Sequence, residues 1–176
     1  TMRIYSEETR QNTIVLLMTS PVRTVELTLA KFFSGTTIVG LMLLITFIFP
    51  GFIYYFSWSS PNAGLDTPVL LSTYLGIFLC SMIYIGIGAF WSSLTDSQIV
   101  AVLLTFVTNF SFWLLSGAER VGSSAWSKLA GYLSISEHLQ TFTQGMPELK
   151  SVIYFLSLIF LANFLTYRSL ESRSWR

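Results

Sequence analysis

A single cysteine, Cys80, and a single histidine, His138, occur in the 176 residues of the chain. One thiol forms no intramolecular disulfide and one imidazole provides no His pair for zinc, so a disulfide framework and a Cys- or His-based metal site are excluded. Charge is also sparse: 11% of residues are Asp, Glu, Lys or Arg, against about 25% in soluble domains. A net charge of +1 offers no concentrated basic face, which argues against nucleic acid as a partner. No glycine-rich loop ends in Gly-Lys-Ser or Gly-Lys-Thr, so the chain has no phosphate cradle of its own. Apolar surface is what it has in excess. With 52% hydrophobic residues, including 15 Phe, 8 Tyr and 5 Trp, it carries more than one core of this size can bury, and the remainder must face lipid.

A bilayer core about 30 Å thick requires roughly 20 apolar residues in helical form. Charge-free stretches of that order run over residues 32–65, 67–95, 97–118 and 151–167. They predict an all-α polytopic membrane protein with four spans: Lys31 to about Phe56, with a kink or late stop at Pro50-Gly51; about Val69 to Trp91; Gln98 to Ser116-Gly117; and Val152 to Tyr167. No stretch alternates as a β-barrel strand would. One membrane domain is expected over 1–176, comprising a cytosolic segment 1–31, three spans in 32–117, an external hairpin in 118–150, and the last span with a cytosolic tail in 151–176.

Four spans put both ends on one side. That side holds seven Lys or Arg residues (Arg3, Arg10, Arg23, Lys31, Arg168, Arg173, Arg176) and the other three (Arg120, Lys128, Lys150). The positive-inside bias therefore predicts cytoplasmic termini. Trp58, Trp91, Trp126 and Trp175 fall near span ends, where an indole suits the headgroup level, while Trp113 lies deeper and is expected to pack. The opening residues lack the order of a cleaved signal peptide. A chain starting Thr1-Met2 directly in an amphipathic helix reads as a carboxy-terminal fragment.

That opening helix is expected over Met2 to Thr19, with Glu7, Glu8 and Arg10 in its polar half and Ile14 to Met18 in its apolar half. Glu7 and Arg10 lie at pairing distance. Thr19-Ser20-Pro21 then breaks it, Ser20 as N-cap and Pro21 at the first position of a new helix, with Glu26 near the positive end of that helix's dipole. As a local feature this is an interfacial helix with a salt-bridged face, worth a few tenths of a kcal/mol. Adjacent carboxylates suit a protein groove better than an anionic leaflet.

The run Arg3, Glu7-Glu8, Arg10, Thr13, Leu16-Leu17, Thr19-Ser20-Pro21-Val22, Glu26 and Lys31-Phe32 resembles the cytosolic coupling segment of ABC type-2 transporter permeases. Residues 92–101, with Thr95, Asp96 and Gln98, resemble that family's short cytoplasmic turn, and Ser169 to Arg173 with Trp175-Arg176 resemble the tail of its gliding-motility-associated branch. The resemblance spans essentially the whole chain, and lacks two of the six spans typical of members. It implies a permease subunit of an ATP-driven exporter in the cell (inner) membrane, paired with a second permease subunit as a homo- or heterodimer. ATP and Mg would bind a separate ABC ATPase subunit, and this chain would carry no cofactor and no enzymatic activity. Glu7, Glu8, Arg10, Thr13, Thr19, Ser20 and Pro21 would then couple ATPase closure to the first span, the helix carrying displacement through the Ser20-Pro21 bend.

Elsewhere local readings suffice. Thr95 with Gln98 fits a capping box, to which Asp96 adds charge at a helix start, and this reading is preferred to ATPase contact. Residues 118–150 are too polar to span and are expected to form two short helices, with a cap at Ser136 and a stop at Gly145 and Met146-Pro147. The family likeness suggests a re-entrant or lid-like hairpin there. Glu137-His138 within it is read as a surface or cap pair without chemistry. Gly35, Gly40, Gly76, Gly86 and Gly88 are expected to let helices approach, and Asn109, Ser111 and Asn163 either to face a substrate path or to bond between helices, the second being preferred. No span holds a central charge, which weakens an ion-coupled transporter, proton pump or voltage sensor. The competing reading is a non-transporting membrane anchor or scaffold of a motility or envelope complex, with a channel third.

Overall fold

The computed structural model describes residues 24–57, 66–118 and 131–174. Six helices are defined there: α1 (Thr24–Thr46), α2 (Ile48–Ser57), α3 (Thr67–Leu94), α4 (Gln98–Ala118), α5 (Ile135–Thr143) and α6 (Leu149–Ser174), with no strand among the described residues. Four segments are long and apolar enough to cross a membrane: Thr24–Phe56, Thr67–Leu94, Gln98–Leu115 and Leu149–Ser172. These are the four expected spans; the first, second and last run beyond the bounds read from the sequence, and the third stops slightly short of them. Helix α6 runs on through Arg168 and Glu171, positions read from sequence as tail, because Arg168 Nη1 donates to Glu171 Oε2 at 3.1 Å one turn on.

Helix α1 turns one stripe inward, Thr28, Phe32, Gly35 and Thr36, the i, i+4, i+7, i+8 positions of a single face. Threonine is tolerated there because its hydroxyl serves its own helix. Thr28 Oγ1 donates to the Thr24 carbonyl and Thr36 Oγ1 to that of Phe32, each at 2.9 Å. Buried Thr105 and Thr166 do the same towards Ala101 (2.7 Å) and Ala162 (2.8 Å). Polar atoms are thereby satisfied without water.

The first span is broken at Phe47, between α1 and α2. Pro50 supplies the cause: it has no N–H for the Thr46 carbonyl four residues back, and its ring crowds that oxygen. The amide of Phe47 accordingly splits between the carbonyls of Leu43 and Leu44, both at 3.1 Å. Beyond the break, α2 is exposed from Phe52 to Phe56. Only 6% of the span's most apolar stretch is buried, against 33% for α3, so this span lies at the edge of the bundle with most of its surface facing outward.

Helix α3 is central, packing on α1, α4, α5 and most extensively α6. Its pairing with α1 is antiparallel: a Cβ on Gly86 would lie 4.0 Å from the Phe32 ring and one on Gly40 3.7 Å from that of Phe78. Its pairing with α6 is parallel, with Gly86 against Ala162 and Ala89 against Leu170. A Cβ on Gly86 would come within 2.9 Å of the Ala162 Cβ, so here glycine sets the interhelical distance, as the sequence suggested. The main core gathers Cys80 and Ile83 of α3, Phe142 of α5, and Phe155 and Ile159 of α6.

Helix α4 folds back on α3, and Trp91 Nε1 donates to Thr108 Oγ1 at 2.9 Å across the pair. Trp91 is thus tied between helices and half-buried, beyond its expected role at headgroup level. Trp113, expected to pack, is 61% exposed and stacks on Phe110 at 5.7 Å. The inward stripe of α4 runs through Ala101, Thr105 and Phe112, and the next residue is turned about 100° away from it.

Candidate functional site

Antiparallel packing brings the start of α1, the α3–α4 turn and the end of α6 to one end of the bundle. Of the residues expected to couple to a partner, Glu7, Glu8, Arg10, Thr13, Thr19, Ser20 and Pro21 lie outside the described residues. Thr95, Asp96 and Gln98 are described, and they stand together in the turn. Asp96 and Ser97 are exposed, whereas Thr95 and Gln98 are half-buried. Ala101 N donates to the Ser97 carbonyl at 3.1 Å, so α4 starts from Ser97.

The turn is held differently from the expected capping box. Thr95 is extended (φ −120°, ψ 140°) as the C-cap of α3, and its hydroxyl donates back to the Trp91 carbonyl at 2.9 Å. It closes the helix behind it, because the last carbonyls of α3 would otherwise lack partners. Asp96 is left beside the positive end of the α4 dipole, a favourable place for a carboxylate. Leu94 and Ile99, 43% and 75% exposed, flank it. The tip thus presents one acid between two apolar side chains.

At the opposite end α5 folds back against α3. Phe142 and Leu139 press on Gly76, where a Cβ would meet Phe142 Cβ at 2.7 Å. The cap of α5 is Ser134, whose side chain accepts from Glu137 N at 3.4 Å, and not Ser136. The spacing Ser134-x-x-Glu137 is that of a capping box and was legible beforehand. The helix ends as expected at Gly145, which has φ 75°. Met146 N donates to the Thr141 carbonyl and Gly145 N to that of Phe142, both at 3.1 Å, the bonding of a Schellman motif.

His138 is the main departure at this end. It is buried, not a surface residue. Its ring stacks on Tyr154 with centroids 4.1 Å apart. Nε2 lies 3.3 Å from the Tyr132 carbonyl and Nδ1 3.0 Å from Ser151 Oγ. A carbonyl only accepts, so Nε2 is assigned the proton and Nδ1 accepts from Ser151. Thr141 Oγ1 donates to the His138 carbonyl at 2.8 Å and reaches Ser151 Oγ at 3.3 Å. Burial pushes the imidazole pKa down; the Tyr132 carbonyl opposes this, Lys150 adds to it and Glu148 opposes it. The Ser–His spacing is that of an activated nucleophile, but Ser151 is 1% exposed, and no substrate reaches it. The cluster joins α5 to the first turn of α6.

Small polar residues in the spans divide. Asn163 Nδ2 donates to the Ile159 carbonyl at 2.9 Å and Ser111 Oγ to that of Val107 at 2.8 Å, so both serve their own helices rather than bridging to others. Asn109 Oδ1 is buried without a partner among the described residues.

Neither curated proteins nor solved structures gave a significant match to the chain. A family model described as ABC-2 family transporter protein matches residues 1–173. Membership implies a lipid bilayer and an ABC ATPase as partners. From this match and its four apolar spans, the chain belongs to the ABC-2 transporter family, as a multi-pass membrane permease component of an ABC transporter.

Proposed function

We propose that this chain is the permease subunit of an ATP-driven exporter, gripped by a separate ATPase through residues 1–23 and the α3–α4 turn, and paired with a second permease subunit. Both ends of the segment face the cytoplasm of a cell whose inner membrane it spans, and ATP with Mg binds on the ATPase. The resemblance of its tail, Ser169 to Arg173 with Trp175-Arg176, supports membership of the gliding-motility-associated branch. One observation carries the coupling: the start of α1, into which residues 1–23 lead, and the turn bearing Asp96 share one end of the bundle, so one soluble partner meets both. Movement of that partner is then transmitted along α1 and α3, which are in direct contact.

The test is the double substitution Glu7→Ala with Glu8→Ala, alone and combined with Asp96→Asn. Co-purification of the ATPase and its stimulated turnover are expected to fall roughly tenfold, in keeping with 1–3 kcal/mol of site coupling, while membrane insertion is retained. Unchanged co-purification and turnover would remove the coupling role from these residues.

A further inference from the structure

We propose that the cavity between α3, α4 and α6 holds an alkyl chain of a phospholipid whose anionic headgroup lies at Arg168. Helices α4 and α6 both pack on α3 but make at most marginal contact with each other. They leave a cavity of about 180 Å³ floored by Ile83 and Ile87 of α3, with Phe112 of α4 and Leu158 of α6 on its walls. Its polar wall groups are already matched. Trp91 Nε1 donates to Thr108 Oγ1 at 2.9 Å, and Thr108 Oγ1 donates on to the Leu104 carbonyl at 2.8 Å. Water needs two to four polar partners and finds none here, whereas an apolar void of about 150 Å³ stays dry and takes up a hydrocarbon.

The mouth identifies the source of that hydrocarbon. Leu161 and Leu165 form part of the lining and are 50% and 39% exposed, so the cavity opens onto the outward apolar surface that the spans present to lipid. Arg168 lies one heptad beyond Leu161, within about 20° of the same face and about 10 Å further along the axis. Its side chain is 64% exposed and its guanidinium sits 5.7 Å from the Phe164 ring centroid. Nη1 is engaged with Glu171 Oε2 at 3.1 Å, but a guanidinium carries five N–H donors in a fork that matches phosphate. Glu171 weakens the attraction without cancelling it, so selection needs chain and headgroup contacts together. A phosphate at Arg168 with a chain running past Leu165 into the cavity satisfies both.

The full chain, with Trp58, Trp113, Trp126 and Trp175 replaced by Phe, leaves Trp91 as a single reporter in the cavity wall. In phosphatidylcholine nanodiscs, phosphatidylglycerol brominated at mid-chain is expected to quench Trp91 with about fivefold higher apparent affinity than brominated phosphatidylcholine, the preference one arginine at a membrane surface confers. Arg168→Gln is expected to abolish that preference. Leu161→Phe and, separately, Leu165→Phe, both at partly exposed positions where a larger ring is tolerated, are expected to lower quenching by closing the mouth. Equal quenching by the two lipids in the parent overturns the headgroup assignment. Quenching unchanged by either Phe substitution, or absent with both lipids because protein covers the mouth, overturns the site.

Discussion

The phenolic hydroxyl of Tyr74 donates to the Thr46 carbonyl at 3.1 Å, the acceptor that Pro50 leaves without its helical donor. The Tyr74 ring meets that of Phe47 edge-on, centroids 4.9 Å apart, at the same break. A span broken in lipid must find partners for its freed backbone, and here α3 provides one from 28 residues away. Tyr74→Phe is therefore expected to destabilise the protein by about 1 kcal/mol, measured by reversible unfolding in mixed micelles. Pro50→Ala restores the amide donor, and in that background Tyr74→Phe should cost much less. Additive effects in this cycle would show that the hydroxyl does not compensate for the proline.

Gly86 and Gly51 differ in what surrounds them. A Cβ on Gly86 meets Ala162 Cβ at 2.9 Å, while one on Gly51 meets nothing within 4 Å. Gly86→Val should push α3 and α6 apart and destabilise by about 1–3 kcal/mol, whereas Gly51→Ala should be neutral or slightly stabilising. Thermal unfolding of the detergent-solubilised variants decides it, and equal effects at the two positions would refute close α3–α6 packing.

The His138 cluster makes the α5 end sensitive to pH. Its folded pKa lies below the ordinary value of 6.5, so between the two values the unfolded chain binds more protons than the folded one. Stability is then full above about pH 6.5 and is lost as the pH falls through the lowered folded value. His138→Gln, which keeps a side-chain donor and acceptor without titrating there, should flatten that loss. Hydrogen exchange at α5 amides, followed from pH 7.5 to 5, is the measurement, and a slope shared by the variant would place the titration elsewhere.

The spans were legible because a bilayer imposes a length and an absence of charge that few other environments demand, and the stop at Gly145 because a left-handed residue at a helix end calls for glycine. The cap of α5 was expected at Ser136 instead of Ser134, although the signal for Ser134 is in the sequence, since its partner Glu137 stands at the required spacing. Thr95 was misplaced because the same hydroxyl can start one helix or finish another, and only the backbone conformation decides. The burial of His138 was hidden because the groups that enclose it, Tyr132, Ser151 and Tyr154, come from either side of α5 in sequence and meet only once α6 packs. Of the residues expected to couple, the turn is placed and the opening helix lies outside the described residues.

The parallel course of α3 and α6 has a bearing on biogenesis. A ribosome releases α3, then α4, then α5, before it has made the helix that fills the notch at Gly86. Until Ala162 emerges, that notch has no protein neighbour from α6, and α4, although already inserted, occupies a different flank. Packing of α3 against α6 must therefore wait for α6 to leave the translocon, and a chain halted before Leu149 would present an unfinished face to whatever quality-control machinery surveys the membrane.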